Sequence, residues 1–219
     1  MYDRTVAYFE DQLADYTGAP YAIAMKRCCI ALKGCCEYLR DSGFKNEYLR
    51  TTEYPHIHIP SRTYEFVPQT LVRSNFLVKC FDVNWSGGYE LWPYPVWDYA
   101  RRFRPNMYVK GQYQCLSFHR SKILGHTEGG AVLTDNQDAR DWLIQWRDDG
   151  RRRSGWRLMI GESGLMFPDI ADSLEKKLHW RRTFYDIHFG PHPDLPHSNY
   201  PDLSLIDWNQ TWREQQKIS

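Results

Sequence analysis

The sequence predicts an α/β fold, with a mostly parallel sheet covered by helices and a reduced C-terminal small domain. Short apolar segments that end in polar residues alternate with helix-like segments, a pattern typical of parallel sheets. The 219 residues, 42% of them hydrophobic, are enough to bury one core. We expect a large domain at 1–155 and a reduced helical segment with a tail at 156–219, and the tail is rich in proline from residue 190.

The first segment predicts a helix, a strand and a second helix. Phe9, Leu13 and Tyr16 recur on one helical face, and Gly18 ends that helix before the apolar strand at 20–25. The second helix extends from about residue 28 to residue 39.

Further strands are predicted in the middle of the chain. The strand candidates are residues 56–61, 77–83 and 94–100, with a helix-like segment at 65–73. In a parallel, helix-covered sheet, ligands bind at the carboxyl ends of the strands. Ser61, Asp82 and Asp98 stand at these ends, so we expect a site near them.

The second half of the chain predicts fewer regular elements. They are a strand at 131–134, a helix at 137–148 that Asn136 can cap, and a helix at about 168–187 with Pro168 in its first turn. The segment 190–202 has too many prolines for regular structure, and the last residues form at most a short docked helix.

Charge and hydropathy exclude some classes of partner. Lys and Arg number 28 against 27 Asp and Glu, a formal charge of +1, so no overall field attracts nucleic acid or an anionic membrane. No window approaches the roughly 18 apolar residues of a membrane span. We therefore expect a cytoplasmic protein without a targeting segment.

The cysteines and the late histidines raise the question of a metal site. Two adjacent cysteine pairs lie seven residues apart in the second helix. A metal site more often has a C-x-x-C loop with further ligands, so we favour small, buried and reduced helix residues. His188, His192 and His197 fit no common ligand spacing and are interpreted as loop residues, so no metal is expected.

The most specific motif is SFHRSKILGHTEGGAVLTD, residues 117–135. Ser-Phe-His precedes Lys122, and a Glu-Gly-Gly turn then enters a strand. This stretch resembles the cofactor-lysine segment of the DegT-type (DegT/DnrJ/StrS) nucleotide-sugar aminotransferases, which are fold-type-I enzymes that use pyridoxal 5'-phosphate (PLP). Thr127 departs from the family, which has a glycine there. The resemblance implies a three-layer, fold-type-I PLP transferase-like architecture with PLP as cofactor.

Weaker resemblances to the same family occur in the same order along the chain. They lie at residues 9–25, 59–72, 95–103 and 164–182. The chain is nevertheless an unusually short member. Between Asn84 and Pro95 it has only WSGGYELWPY, where relatives place an additional strand–helix unit.

The resemblance implies catalytic roles for two residues. Lys122 would form the imine with the cofactor aldehyde and then move the proton between substrate and cofactor carbons. Asp98 would lie against the pyridine nitrogen and keep it protonated by opposite-charge attraction. From the residues alone, a solvated lysine and a helix cap at a strand end remain the alternatives.

The family pattern also assigns residues to cofactor binding. Tyr64 would stack on the ring, with an ordinary core tyrosine as the alternative. Arg101 stands where relatives commonly have a glutamine near the ring hydroxyl. Ser117 would hold the phosphate together with the helix start at Cys28 and Cys29, which replace the family's Gly-Thr pair.

Two other features have simpler interpretations. His119 is expected to be a packed histidine with its hydrogen bonds satisfied, not a catalytic base. Arg151, Arg152, Arg153 and Arg157 form a run typical of a solvated face, with binding of a nucleotide diphosphate near a shared active site as the alternative.

The resemblance therefore implies a PLP-dependent aminotransferase that moves an amino group, from glutamate, onto a nucleotide-linked ketosugar. It also implies a homodimer, because family sites lie between subunits. The lost segments keep open a second hypothesis, a truncated accessory or binding protein that keeps the fold without transaminase turnover. A third is another PLP reaction, such as dehydration or decarboxylation, on the same scaffold.

Overall fold

The computed structural model describes residues 3–44, 55–151, 159–197 and 200–218. Its helices are α1 Arg4–Thr17, α2 Cys28–Asp41, α3 Phe66–Arg73, α4 Gln137–Arg147, α5 Pro168–Trp180, α6 Asp186–Phe189 and α7 Trp208–Ile218. Its strands are β1 Tyr21–Met25, β2 His56–Pro60, β3 Leu77–Phe81, β4 Tyr89–Glu90, β5 Val96–Asp98, β6 Tyr113–Ser117 and β7 Gly130–Thr134. The predicted domain boundary at 155/156 lies outside the described residues.

Local capping explains why several predicted helices begin and end where they do. The Asp3 side chain accepts from the Thr5 N–H at α1, and Gly18 closes that helix in the left-handed conformation at φ 75°. The Asn136 side chain accepts from the Ala139 N–H at α4, and Pro168 occupies the first turn of α5. These predictions are confirmed. The last predicted helix continues beyond α5 through a π-helical turn, Arg181–Tyr185, into α6.

The prediction of a mostly parallel sheet is wrong, because the sheet is mixed. The main sheet has the order β1-β7-β6-β5-β4, and only β5 and β6 pair parallel within it. Strands β2 and β3 form a separate parallel pair. The prediction assumed that a helix follows each strand. The connections between β4 and β5 and between β6 and β7 contain no helix, and the two strands of each pair are antiparallel.

Helices cover both faces of the main sheet. Alternate side chains of a strand point to opposite faces. Ala22 and Ala24 enter one core cluster with residues of α1 and α5, while Ile23 and Met25 enter a second cluster with residues of α2, α3 and α4. The strands of the main sheet are thus buried on both sides, consistent with the α/β class.

A buried ion pair joins α1 to the end of α4. Arg147 Nη1 lies 2.5 Å from Glu10 Oε1 and also donates to the carbonyl of Ala24. The same carboxylate oxygen accepts from the Ala24 N–H at 2.7 Å. Burial raises the pKa of Glu10, although the neighbouring guanidinium opposes this.

The C-terminal tail returns across the main body. Segment 190–203 has no helix or strand among its described residues, as predicted, but it is held at several points. Leu195 N–H donates to the Arg101 carbonyl at 3.0 Å, and Asp194 pairs with Arg102 at 2.5 Å. Helix α7 then packs on α3. Across the residues described, no helix combines the length and apolar character that crossing a membrane requires.

Candidate active site

One cavity brings the predicted site residues together. Its volume is about 750 Å³, within the roughly 300–1,000 Å³ of small-molecule sites. It is bordered by the start of α2, the ends of the parallel strands β5 and β6, and the tail. All seven residues selected from the sequence border it: Lys122, Asp98, Ser117, Tyr64, Cys28, Cys29 and Arg101.

Asp98 is the last residue of β5 and is only 5% exposed. Its Oδ1 accepts from the Ala100 N–H at 2.9 Å and its Oδ2 accepts from the Tyr89 hydroxyl at 3.0 Å. Burial raises the pKa of Asp98. Its carboxylate forms no ion pair with a described residue. The described residues between β5 and β6 contain no helix that Asp98 could cap, so the alternative of a helix cap is wrong.

Tyr89 holds the Asp98 carboxylate from β4. The two residues face each other in the antiparallel register of β4 and β5. The Tyr89 hydroxyl also lies 2.6 Å from Thr63 Oγ1. Burial, and then the nearby Asp98 charge, raise the pKa of Tyr89 well above its usual value, so the phenol stays protonated and donates.

Lys122 lies in the turn between β6 and β7. Its N–H donates to the His119 carbonyl at 2.8 Å, which closes the turn. Its Nζ donates to the Tyr200 hydroxyl at 2.9 Å. The side chain is therefore held at the cavity and does not extend into solvent as a surface lysine would.

The Glu-Gly-Gly motif lets two backbones approach closely. Arg27 forms an isolated bridge with Gly129, whose φ of +125° disfavours any L side chain. A Cβ on Gly130 would lie 2.5 Å from the Cys28 backbone nitrogen. Because Gly130 also faces Ser117 in the β6–β7 register, the serine is brought beside the start of α2.

The start of α2 offers backbone donors beside these residues. Its N-cap residue Arg27 makes no side-chain capping hydrogen bond. The first N–H groups of a helix have no partner within the helix and favour an anion. Burial raises the pKa of Cys29 to about 12 and that of Cys28 well above its usual value, so both sulfurs remain neutral. Neutral thiols do not repel a phosphate.

Tyr64 and Arg101 lie on other parts of the cavity wall. Tyr64 is 50% exposed, so the alternative of an ordinary core tyrosine is wrong. The Arg101 guanidinium lies 4.7 Å from the centroid of the Tyr200 ring. Its Nε is buried and has no hydrogen-bond partner among the described residues.

Sequence reasoning missed three aromatic residues of this region. Tyr89 and Trp85 come from the short segment between β3 and β5, and Tyr200 comes from the tail. The Trp85 ring lies 4.9 Å from that of Tyr89 and 6.2 Å from that of Tyr200. No periodic pattern marks these residues, and only the density of aromatic residues in WSGGYELWPY could have drawn attention to the first two.

Some expectations about individual residues are wrong. Ser61 and Asp82 do not border the cavity: Ser61 is buried elsewhere and Asp82 is exposed. They follow β2 and β3, which form the separate pair. His119 is exposed at the cavity instead of packed, with Nδ1 3.2 Å from Ser121 Oγ. Partial desolvation lowers its pKa.

Other expectations are only partly covered by the described chain. Arg151 is exposed, while the remainder of its arginine run, at 152–153 and 157, lies outside the described residues. Cys28, Cys35 and Cys36 are buried, as expected. Within the ranges that the structure covers, no group of three or more His, Cys, Asp or Glu side chains is arranged to hold a metal ion.

Comparisons with known proteins agree with this geometry. The DegT/DnrJ/EryC1/StrS aminotransferase family model matches residues 109–169, the region of Lys122, Ser117 and the Glu-Gly-Gly turn. No curated protein sequence matches the chain significantly. Among solved structures, 89 chains match.

Three of these structures illustrate the likeness. DesV of S. venezuelae, in complex with a ketimine intermediate, is 16% identical with a TM-score of 0.62, over 83% of this chain and 58% of that one. DesI with its TDP-sugar product is 18% identical with a TM-score of 0.61, over 82% and 53%. NtdA of Bacillus subtilis with bound cofactor PMP is 16% identical with a TM-score of 0.58, over 81% and 48%.

At such identities the structural likeness establishes the fold. This chain covers 58%, 53% and 48% of those three proteins. The family match and the shared fold agree with the resemblance first found in the sequence: residues 109–169 are similar to the DegT/DnrJ/EryC1/StrS aminotransferase family, and the chain shares the fold of DesV.

Proposed function

We propose that this protein is a PLP-dependent aminotransferase whose cofactor occupies the cavity at Lys122 and Asp98. The observation that carries the proposal is the buried Asp98 carboxylate. It borders the cavity, has a raised pKa and forms no ion pair with a described residue, and the cavity is shared with the amine of Lys122. A buried carboxylate without a cationic partner is costly, and a protonated pyridine would supply that partner.

The other residues of the cavity fit the remaining parts of PLP. The α2 amides and Ser117 suit the phosphate, and Gly130 leaves space for the helix start to approach. The exposed Tyr64 ring is available to stack on a flat ligand. The unpartnered Arg101 Nε can donate to an anionic ring oxygen.

Each residue then has a distinct task in the proposed reaction. When bound, PLP withdraws the electrons released as the substrate's amine-bearing carbon loses its proton. The Lys122 amine would hold the cofactor and carry that proton. Asp98, fixed by Tyr89 and the Ala100 N–H, would keep the pyridine nitrogen protonated. The start of α2 would hold the phosphate.

For the substrates we propose glutamate as amino donor and a nucleotide-linked ketosugar as acceptor. DesI, which shares the fold, was solved in the presence of its TDP-sugar product. The protein would act as a homodimer, with part of the sugar site supplied by the second subunit. A cytoplasmic location is proposed with these substrates.

An absorbance titration with PLP tests cofactor binding. We expect wild type to develop a visible band of lysine-bound cofactor, and borohydride to fix the cofactor on the peptide containing Lys122. Lys122→Ala should lose both signals. Lys110→Ala is the matched control, because that exposed lysine precedes β6 and does not border the cavity. If wild type develops no band, or if the band persists in Lys122→Ala, the proposal fails.

A second measurement separates an aminotransferase from an accessory protein that only keeps the fold. The coverage supports the accessory hypothesis, since the match to DesV spans 58% of that chain. Glutamate added to the loaded protein should convert the cofactor to its amine form and release 2-oxoglutarate. A band at Lys122 that glutamate leaves unchanged would support the accessory protein.

A further inference from the structure

The tail places one tyrosine directly on the candidate cofactor lysine. The Tyr200 hydroxyl accepts a hydrogen bond from Lys122 Nζ at 2.9 Å, although 78 residues separate them. The same ammonium lies 5.6 Å from the centroid of the Tyr200 ring. Tyr200 borders the cavity, so this contact lies inside the candidate site.

The Tyr200 ring is fixed on its other sides. The Arg101 guanidinium lies 4.7 Å from its centroid, and the Trp85 ring is nearly parallel to it, at 19° and 6.2 Å. The backbone around the ring is also held: Tyr200 N–H donates to the His197 carbonyl, and Leu203 N–H donates to the Ser61 carbonyl at 2.8 Å. An ordered ring with a fixed hydroxyl can orient the group that it binds.

We infer that Tyr200 is a positioning residue whose hydroxyl orients the Lys122 amine within the site. The inference rests on the proposed function for its consequence in catalysis, but the contact itself is testable without cofactor. With about 750 Å³ left open, Tyr200 lines the cavity and does not fill it. The tail is thereby a wall of the site.

The chemistry of the contact gives a measurable consequence. The hydrogen bond to Tyr200 holds the Lys122 nitrogen in one orientation, and that nitrogen must turn to an acylating reagent in order to react. Loss of the hydroxyl should therefore release Lys122 for faster acylation.

The experiment is competitive acetylation of the cofactor-free protein with acetic anhydride between pH 7 and 9.5, read peptide by peptide with mass spectrometry. Exposed Lys110 is the internal reference. In Tyr200→Phe, which keeps the ring beside Trp85 and Arg101, we expect Lys122 to react about three- to tenfold faster at pH 7. Tyr108→Phe is the matched control, because its hydroxyl also makes a hydrogen bond, donated to the Gln112 carbonyl at 3.1 Å, away from the cavity.

Tyr200→Ala, which removes the ring as well, completes the test. Acceleration in both variants supports the positioning role. An unchanged or slower rate in Tyr200→Phe overturns it, including the case in which only Tyr200→Ala accelerates, since the ring would then merely shield the lysine. Because no cofactor is present, this result stands apart from the PLP titration: either proposal can fail while the other holds.

Discussion

Replacing Asp98 with asparagine should stabilise the cofactor-free protein or leave it unchanged, while weakening cofactor binding. Burial raises the pKa of Asp98 above its ordinary value of 3.8, so the folded protein binds that proton more tightly than the unfolded chain does. The contribution of protonated Asp98 to the free energy of unfolding is fully present below pH 3.8. It is lost as the pH rises through the pKa that Asp98 has in the folded protein. The uncharged amide avoids this loss, and its oxygen and NH₂ can still bond with Ala100 and Tyr89.

Cofactor binding should change in the opposite direction. Losing one charge-assisted hydrogen bond costs about 1.5–3 kcal/mol, which weakens binding roughly 10- to 150-fold. At a PLP concentration 100 times the wild-type Kd, binding adds about 2.7 kcal/mol to wild type, and after a 100-fold loss it adds only about 0.4 kcal/mol. For a chain of this size, the rise in Tm on adding PLP should fall from about 5–11 °C to about 1–2 °C.

Thermal melts at pH 5.5 and 7.5, with and without PLP, measure both effects. The advantage of cofactor-free Asp98→Asn over wild type should be at least as large at pH 7.5 as at pH 5.5. Asp82→Asn is the control, because Asp82 is exposed and outside the cavity, and it should melt like wild type in every condition. A lower Tm for cofactor-free Asp98→Asn at pH 7.5, together with an unchanged response to PLP, would refute the reasoning.

Three further predictions concern the framework around the site. Gly130→Ala places a Cβ against the Cys28 backbone and should cost about 1–3 kcal/mol, seen as a lower Tm and weaker PLP binding; normal binding would contradict it. Glu10→Gln removes the carboxylate beside buried Arg147 and should cost about 3–5 kcal/mol in urea unfolding, whereas a loss below about 1 kcal/mol would contradict the buried pair. Asn209→Leu removes two hydrogen bonds to the backbone of Val78, at 3.1 and 3.0 Å, and should expose α7 to proteolysis without changing PLP binding; unchanged resistance would contradict this role of the amide.

The elements with strong local signals could be predicted from the sequence. Gly18 ends α1 and Asn136 caps the start of α4 through hydrogen bonds with residues three or four positions away, so the sequence alone predicts these helix ends and the structure confirms them. Lys122 and Asp98 could be selected together because a recognisable motif surrounds each. Their meeting at one cavity follows from the parallel pairing of β5 and β6, whose carboxyl ends share an edge.

What could not be predicted depends on contacts between distant parts of the chain. Strand β4 has two residues, too few for any periodic pattern. Tyr200 lies in a proline-rich segment without periodicity, 78 residues from its partner Lys122. Neither hydropathy nor local propensity indicates which residues far apart in the sequence contact each other.

The segment WSGGYELWPY shows why a shortened chain can still build a site. In the sequence it stands where relatives have a strand–helix unit, and only the loss is visible. In the structure it forms β4, which ends at Glu90. Two residues later, the Trp92 carbonyl accepts a hydrogen bond from the His58 N–H of β2 at 2.8 Å. The segment therefore links the separate β2–β3 pair to the main sheet.

The same segment also contributes directly to the site. Tyr89 donates to Asp98, and the Trp85 ring lies beside both Tyr89 and Tyr200. This short segment connects the two sheets and binds the Asp98 carboxylate, so the proposed cofactor site keeps its support although the segment is shorter than in relatives.

Tyr89→Phe tests this point: the Asp98 carboxylate would lose its only hydroxyl donor among the described residues, and the PLP-induced rise in Tm should shrink. An undiminished rise would mean that the Ala100 N–H and the Cys28 thiol are enough to hold Asp98.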